Sequence, residues 1–280
     1  MTIAAIWLED GSLWCAADTR LVGGKNDITT SDLAAKIYTI PLSITALDPN
    51  PQIDAAGTGP RQPHYWTQYG FVYAGAALPA SQTAINASTI LQNLVRPGGR
   101  ANPPKFEEIG SFMCRLARRF MQDRISFGAD GLFQAAVFGW CPYESRYKIA
   151  FIDGRVDAGS FRVELTYPSR PVNEADPWLV LGSGTKKFYE ALETYRKNEH
   201  TITRRIPRRV IDLMVSEGGD QTVGGATSIG AAHPNGFQLY WAAEPVVKGQ
   251  PQARRVFNGL DLDTEVGTIG DYFVGGCGIA

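Results

Sequence analysis

Apolar residues along the chain change period several times, and each change marks an element. Ile3 to Leu8 and Leu13 to Ala17 are short apolar runs divided by Glu9-Asp10-Gly11-Ser12. Asp-Gly favours the positive-φ turn that joins two antiparallel strands, so these runs predict a β-hairpin at the start of the chain. A second pair of short strands is predicted around Lys36 to Ile40 and around Phe71 to Ala74. Between them, Ser43 to Gly70 contains Pro49, Pro51, Pro60 and Pro63 with several Gly and Asp residues. That composition suits an insertion rather than core.

From Pro79 to Val95 the residues Ala84, Ala87, Leu91 and Leu94 fall at three- and four-residue steps, the spacing of one buried helix face, with Pro97-Gly98-Gly99 as the stop. Phe106 to Arg124 repeats the pattern through Phe106, Ile109, Met113, Leu116 and Phe120. Strand-like segments follow at Leu132 to Phe138, Tyr147 to Ile152, Phe161 to Tyr167 and Trp178 to Leu181. Two more helices are predicted, one after Gly184 carrying Phe188, Leu192 and Tyr195, the other from about Ile206 to Ser216 carrying Val210, Leu213 and Met214. The last sheet signals are Ala226 to Gly230 and Phe237 to Trp241. Strands, two helices, strands, two helices, strands is the order of an α+β fold with helices segregated outside packed sheets, not of an alternating doubly wound one. With 280 residues and no internal repeat, the expectation is one domain over 1–280, with insertions at about 43–70 and within about 132–177.

Charge narrows the partners. Lys+Arg and Asp+Glu number 27 and 28, which leaves no electrostatic footprint for nucleic acid or an anionic membrane surface. Cys15, Cys114, Cys141 and Cys277 form no C-x-x-C pair and fit reduced thiols in a cytoplasmic protein; His64, His200 and His233 lack metal-ligand spacing. No metal or organic cofactor is expected. The opening apolar stretch has no basic leader and is interrupted at Glu9 and Asp10, so neither a signal peptide nor a membrane span is expected there.

Candidate chemistry begins at Thr2. Removal of Met1 would leave a threonine whose hydroxyl and free α-amine belong to one residue, a nucleophile and a base together. An α-amine titrates at about 7.7 to 8.0, so a useful fraction is neutral near physiological pH and can accept the hydroxyl proton. In "TIAAIWLEDGSLWCAADTR", Asp18 and Arg20 close the second strand of the hairpin, beside the N-terminus. In "AAKIYTIP", Lys36 opens the next strand.

This series resembles that of proteasome β-subunits and of the bacterial peptidase that partners an ATPase unfoldase, of the HslV type: an N-terminal Thr, an Asp-x-Arg, then a Lys-Ile/Val strand. The resemblance implies that Lys36 stabilises the developing Thr2 alkoxide and that Asp18 keeps Lys36 charged and oriented. The alternative for Asp18 and Lys36 is a surface ion pair of little consequence. "VYAGAALPA" looks like the family's Ala-Gly segment, which makes Gly75 the oxyanion-hole amide and points to Leu21, Tyr73 and Ala77 as the lining of the substrate pocket, narrowed by Tyr73. "LVLGSGTKKFYEAL" resembles the strand, Gly-Ser-Gly turn and helix in which Ser183 bonds the Thr2 amine. "GGDQTVGGATSIG" is similar to the family's Asp-x-x-Ser-Gly-Gly, with Asp220 and Gly224-Gly225 in place but Val223 where serine is usual. Valine can neither donate nor accept a hydrogen bond.

The fold this implies is a four-layer αββα sandwich of two antiparallel sheets. The implied activity is a threonine-type peptidase acting on a peptide or unfolded protein inside a homo-oligomeric ring, with an ATPase unfoldase as a possible partner. Two rivals stand beside it: an amidase for small amides, and a catalytically silent ring or shell protein, which Val223 favours.

Overall fold

A computed structural model of the chain describes residues 2–23, 28–46, 64–96, 102–173, 176–198, 204–217, 221–245, 253–275 and 278–279. The predicted hairpin is strands β1 (Ala4–Glu9) and β2 (Ser12–Asp18), with Glu9 facing Ser12 across a two-residue turn. Asp10 and Gly11 both hold positive φ, 49° and 70°, as a tight turn matched to the strand twist requires. Side chains alternate across β1: Ala4, Ile6 and Leu8 enter one core, Ile3, Ala5 and Trp7 another. A strand buried on both faces reads as a continuous apolar run, as this one does.

The strands β3 (Leu21–Gly23) and β4 (Ile28–Ser31) make a small sheet of their own, followed by β5 (Ile37–Ala46) and β6 (Tyr65–Gly75). Both long strands reach into the span expected to be an insertion at 43–70, and pair from Ile37↔Val72 to Ile44↔Tyr65. The proline-rich residues 47–63 lie outside the described residues. Helix α1 (Ala77–Leu91) stops earlier than its apolar spacing predicts, and Leu94 goes into strand β7 (Leu94–Arg96), parallel to β5. Helix α2 (Phe106–Ser126) follows, then the antiparallel run β8 (Phe133–Cys141), β9 (Arg146–Asp157) and β10 (Ser160–Thr166). The segment expected to hold an insertion within 132–177 therefore supplies three strands of the six-stranded sheet β10-β9-β8-β6-β5-β7.

Strand β11 (Leu179–Leu181), helices α3 (Thr185–Asn198) and α4 (Ile206–Glu217), and strands β12 (Thr227–His233) and β13 (Gly236–Pro245) come next. Beyond Glu244 the chain adds β14 (Ala253–Phe257), β15 (Leu260–Asp261), a π-helical turn at Leu262–Val266, the pair β16 (Thr268–Ile269) and β17 (Tyr272–Phe273), and β18 (Gly278–Ile279). The larger sheet runs β11-β1-β2-β12-β13-β14-β15, with β18 joined to β13 in parallel.

These strands correct the expected αββα sandwich of two antiparallel sheets. Strand residues outnumber helical ones among the described residues, the sheets number four, and both large sheets are mixed because β7 and β18 run parallel to their neighbours. Helix cover is also uneven: α3 and α4 are spent on β1, β2 and β12, whereas β14 and β15, among the described residues, pack against the π-helical turn. The physical reason is that short, arginine- and glycine-punctuated strands such as Ala253–Phe257 lack the apolar alternation by which a strand announces itself. No helix among the described residues is long and apolar enough to cross a membrane.

What positions the site is the contact between the two large sheets. Ala4, Ile6, Cys15 and Ala17 from one meet Ile37, Val72, Ala136 and Phe138 from the other, with Phe138 edge-on to Phe237 at 5.3 Å. The start of β1, the end of β2, the approach to β5 and the end of β6 are thereby held at one end of this interface.

Candidate active site

Thr2, Asp18 and Lys36 meet in a buried cluster. The Lys36 Nζ donates to the Asp18 carboxylate (Oδ1) at 2.8 Å and to the Thr2 hydroxyl (Oγ1) at 3.3 Å. Asp18 and Lys36 are fully buried and Thr2 is 5% exposed. That arrangement is not the surface ion pair set out as the alternative.

Two unit charges removed from water are costly unless their remaining hydrogen-bonding capacity is filled. The chain fills it with backbone. Ile3 N–H donates to Asp18 Oδ1 at 3.1 Å, and the N–H groups of Arg20 and Gly224 donate to Oδ2, each at 3.3 Å. Burial pushes Lys36 below the ordinary lysine range, and the charge and hydrogen bond of Asp18 recover part of that fall.

Several supports were not legible in the sequence. Arg20 forms a two-pronged pair with Asp32, Nε to Oδ1 at 2.6 Å and Nη2 to Oδ2 at 3.1 Å, and also reaches the Gln221 carbonyl at 3.2 Å. Thr19 accepts from Ala226 N–H at 2.7 Å and donates to the Asp32 carbonyl at 2.6 Å. Together they strap the end of β2, the approach to Lys36 and the lead into β12. A β-carbon on Gly224 would collide with the Arg20 guanidinium, and Gly225 holds φ +77° against Thr19 and Asp32. Gly225 is therefore sterically required, and a side chain at 224 would displace the Arg20 head from its place.

The cluster lies under a cleft of about 1260 Å³ whose lining includes Thr2, Leu21, Gly75, Ala77 and Ser183. Five of the nine residues singled out from sequence thus share one wall or floor, and Asp18 and Lys36 lie directly beneath. Gly75 ends β6 with φ +114°, and a β-carbon there would press on the Leu132 carbonyl. Ser183 is exposed in the Gly182–Gly184 turn between β11 and α3. Gln134 is a further support: its side chain accepts from Gly182 N–H at 2.9 Å and donates to Asp153 at 3.1 Å.

Two expectations need correction or fall elsewhere. Tyr73 does not line the cleft. It is buried in the core beside Tyr38, where its ring lies 6.3 Å away, and it holds the Lys36 segment instead: its N–H donates to the Lys36 carbonyl at 3.2 Å and its hydroxyl to that of Ala35 at 3.4 Å. The reason is strand parity, since Tyr73 shares a β6 face with Phe71 and Tyr69. Narrowing of the pocket by Tyr73 falls with that placement. Asp220 lies outside the described residues. Val223 is fully buried among Ile3, Ala5 and Val210 under α3 and α4.

No protein-family model matches the chain, and no curated protein matches it. Among solved structures, the Gly-1 mutant of Anbu from Hyphomicrobium sp. strain MC1 aligns over 92% of this chain and 87% of its own, with 12% identity and a TM-score of 0.49. A likeness at that level assigns neither family nor activity. The resemblance to proteasome β-subunits and HslV-type peptidases is therefore corrected: the matching residues occupy short segments separated by long unmatched ones, and the chain is not assigned to that family.

Proposed function

We propose that this protein is an N-terminal-nucleophile threonine hydrolase that cleaves peptide amide bonds. The reading rests chiefly on one observation, the Lys36 ammonium hydrogen-bonded at once to the buried Asp18 carboxylate and to the Thr2 hydroxyl at the base of an open cleft.

Hydrolysis of the Met1–Thr2 bond frees the Thr2 α-amine. That amine takes the Thr2 hydroxyl proton while Oγ1 attacks the substrate carbonyl carbon, and Lys36 lowers the energy of the forming alkoxide. The carbonyl electron pair moves to oxygen, facing the Gly75 amide. Collapse of that intermediate expels the substrate amine, which takes the proton from the α-ammonium. Water, deprotonated by the same amine, then cleaves the ester on Thr2 and releases the acid. Ser183 is assigned to the hydrogen bonds around the α-amine, and Leu21 and Ala77 to contacts with the substrate.

The size of the cleft supports a peptide over a small amide, because it exceeds the roughly 300–1000 Å³ usual for small-molecule pockets. Self-association is part of the proposal. The silent reading has Val223 in its favour, a valine packed in the core without any means of hydrogen bonding to the amine.

Intact-mass analysis of purified protein, with and without an epoxyketone that alkylates both groups of an N-terminal threonine, tests the proposal. The expected result is loss of the Met1 mass and a covalent adduct that maps to Thr2. Protein that retains Met1, or that is processed and takes up no label, overturns it.

A further inference from the structure

The cleft above Thr2 contains two guanidinium groups in different states. Arg155 is spoken for, paired with Asp157 at 2.9 Å and Glu164 at 2.7 Å. Arg124 is not. Its Nε is buried without a hydrogen-bond partner, and among the described residues its guanidinium makes no ion pair. Burying a donor of a charged group without an acceptor is costly, and each such group calls for an explanation.

The placement of Arg124 ties it to the reacting centre. It stands in the last turn of α2, and its stem lies so close to Gly131 that a β-carbon on that glycine would sit 2.8 Å from the Arg124 β-carbon. The next residue, Leu132, has its carbonyl bonded by Ala76 N–H at 2.9 Å and pressed against Gly75. The base of the Arg124 side chain is thus held one residue away from the backbone that shapes the expected oxyanion position, and its side chain contributes to the lining of the cleft. A cation in the last turn of a helix also complements the helix dipole, but that requirement is met by the charge alone and does not need a buried, empty donor.

We propose that Arg124 is a specificity-determining residue that receives a carboxylate of the substrate, so that the cleft selects acidic peptides. This rests on the reading of the Thr2 cleft as the substrate site. Arg124 presents a planar fork that matches a carboxylate with two parallel hydrogen bonds. The exposed Asp130 carboxylate, which lines the same cleft and among the described residues is bonded by the Leu132 N–H at 3.4 Å, opposes an incoming anion. It limits how strongly that anion is held.

The test uses matched fluorogenic peptides with Glu or Gln at each position around the cleaved bond, each made with a free and with an amidated C-terminus. A carboxylate held by two charge-assisted bonds should raise kcat/KM about 10- to 100-fold over its amide isostere at one position. Preference for Glu identifies a side-chain carboxylate, and preference for the free terminus a main-chain one. Arg124→Gln should abolish the preference and Asp130→Asn should increase it. Fluorescence anisotropy with Thr2→Ala reads the same ratio in binding without turnover. If that variant favours the acidic peptide and no protein hydrolyses it, the catalytic reading fails while the Arg124 assignment stands. Hydrolysis with ratios within about twofold at every position, or ratios that Arg124→Gln leaves unchanged, overturns the assignment.

Discussion

Gly182 lies directly against the main-chain carbonyl of Thr2, closely enough that a β-carbon at position 182 would overlap the carbonyl oxygen. The residue also holds φ +98°, a conformation that side chains resist. Gly182→Ala should therefore push Thr2 away from Lys36 and cost about 1–3 kcal/mol of stability from strain and overpacking combined. Labelling of Thr2 should fall more than thermal stability does. A variant that labels at the original rate would show that the turn does not position the nucleophile.

Lys36 and Asp18 should behave as a pair. Lys36→Met leaves a buried carboxylate with backbone donors but no cation, at a cost of about 3–5 kcal/mol. Replacing both, as Asp18→Asn with Lys36→Met, should recover much of that loss in urea denaturation without restoring any activity. Equal stability of the single and double variants would contradict the pairing.

The pH dependence follows from the same lysine. Its folded-state pKa lies below the unfolded value of about 10.4, so between the two the unfolded chain binds the extra proton and stability rises with pH; below that interval the burial penalty is present in full. Under the proposed mechanism activity moves oppositely, because there the ammonium form is the one that assists Thr2. The kcat profile should rise as the α-amine loses its proton and fall again below pH 10.4. A profile still rising at pH 10 would be incompatible with an ammonium role for Lys36.

Asp32 offers a check on the strap around the site. The Arg20 hydrogen bonds hold its carboxyl below the usual range, so its contribution is present above the unfolded pKa of about 3.9 and is lost as pH falls through the lower folded value. Its side chain is 45% exposed, which limits the pair to about 1 kcal/mol or less. Asp32→Asn should be slightly less stable at pH 7, and the difference should shrink as pH falls below the unfolded pKa. Because Asp32 also supports the charge on Lys36, the alkaline limb of activity should move to lower pH in this variant.

Val223→Ser tests whether the departure from the expected serine silences the protein. The position is enclosed by apolar side chains, so the new hydroxyl should cost about 1–3 kcal/mol and leave activity unimproved. A marked gain in hydrolysis would support the view that valine is what holds the protein inactive.

Much of this site was legible because its components obey local rules. Asp10-Gly11 specifies the hairpin that returns Asp18 to the chain start, and the apolar run after Lys36 specifies the strand that delivers the lysine. Asp32, Thr19 and Gln134 were not legible. Each acts through contacts with residues far along the chain, such as Gln134 with Gly182, and no local period or motif marks a residue of that kind. Tyr73 was misplaced for a related reason: Gly75 borders the cleft through its backbone, whereas the side chains on its face of β6, Tyr73 among them, enter the core. The mixed sheets escaped notice because β7 and β18 join them by parallel pairing, which short segments do not advertise.

The Asp18 carboxylate gathers donors from residues 3, 20, 36 and 224. The hydroxyl, the lysine and the aspartate lie close together near the chain start, yet the amide that completes the anion's shell stands 206 positions beyond Asp18. The buried charge pair is thus fully solvated by the protein only when the two distant segments have met, and its shell closes together with the fold.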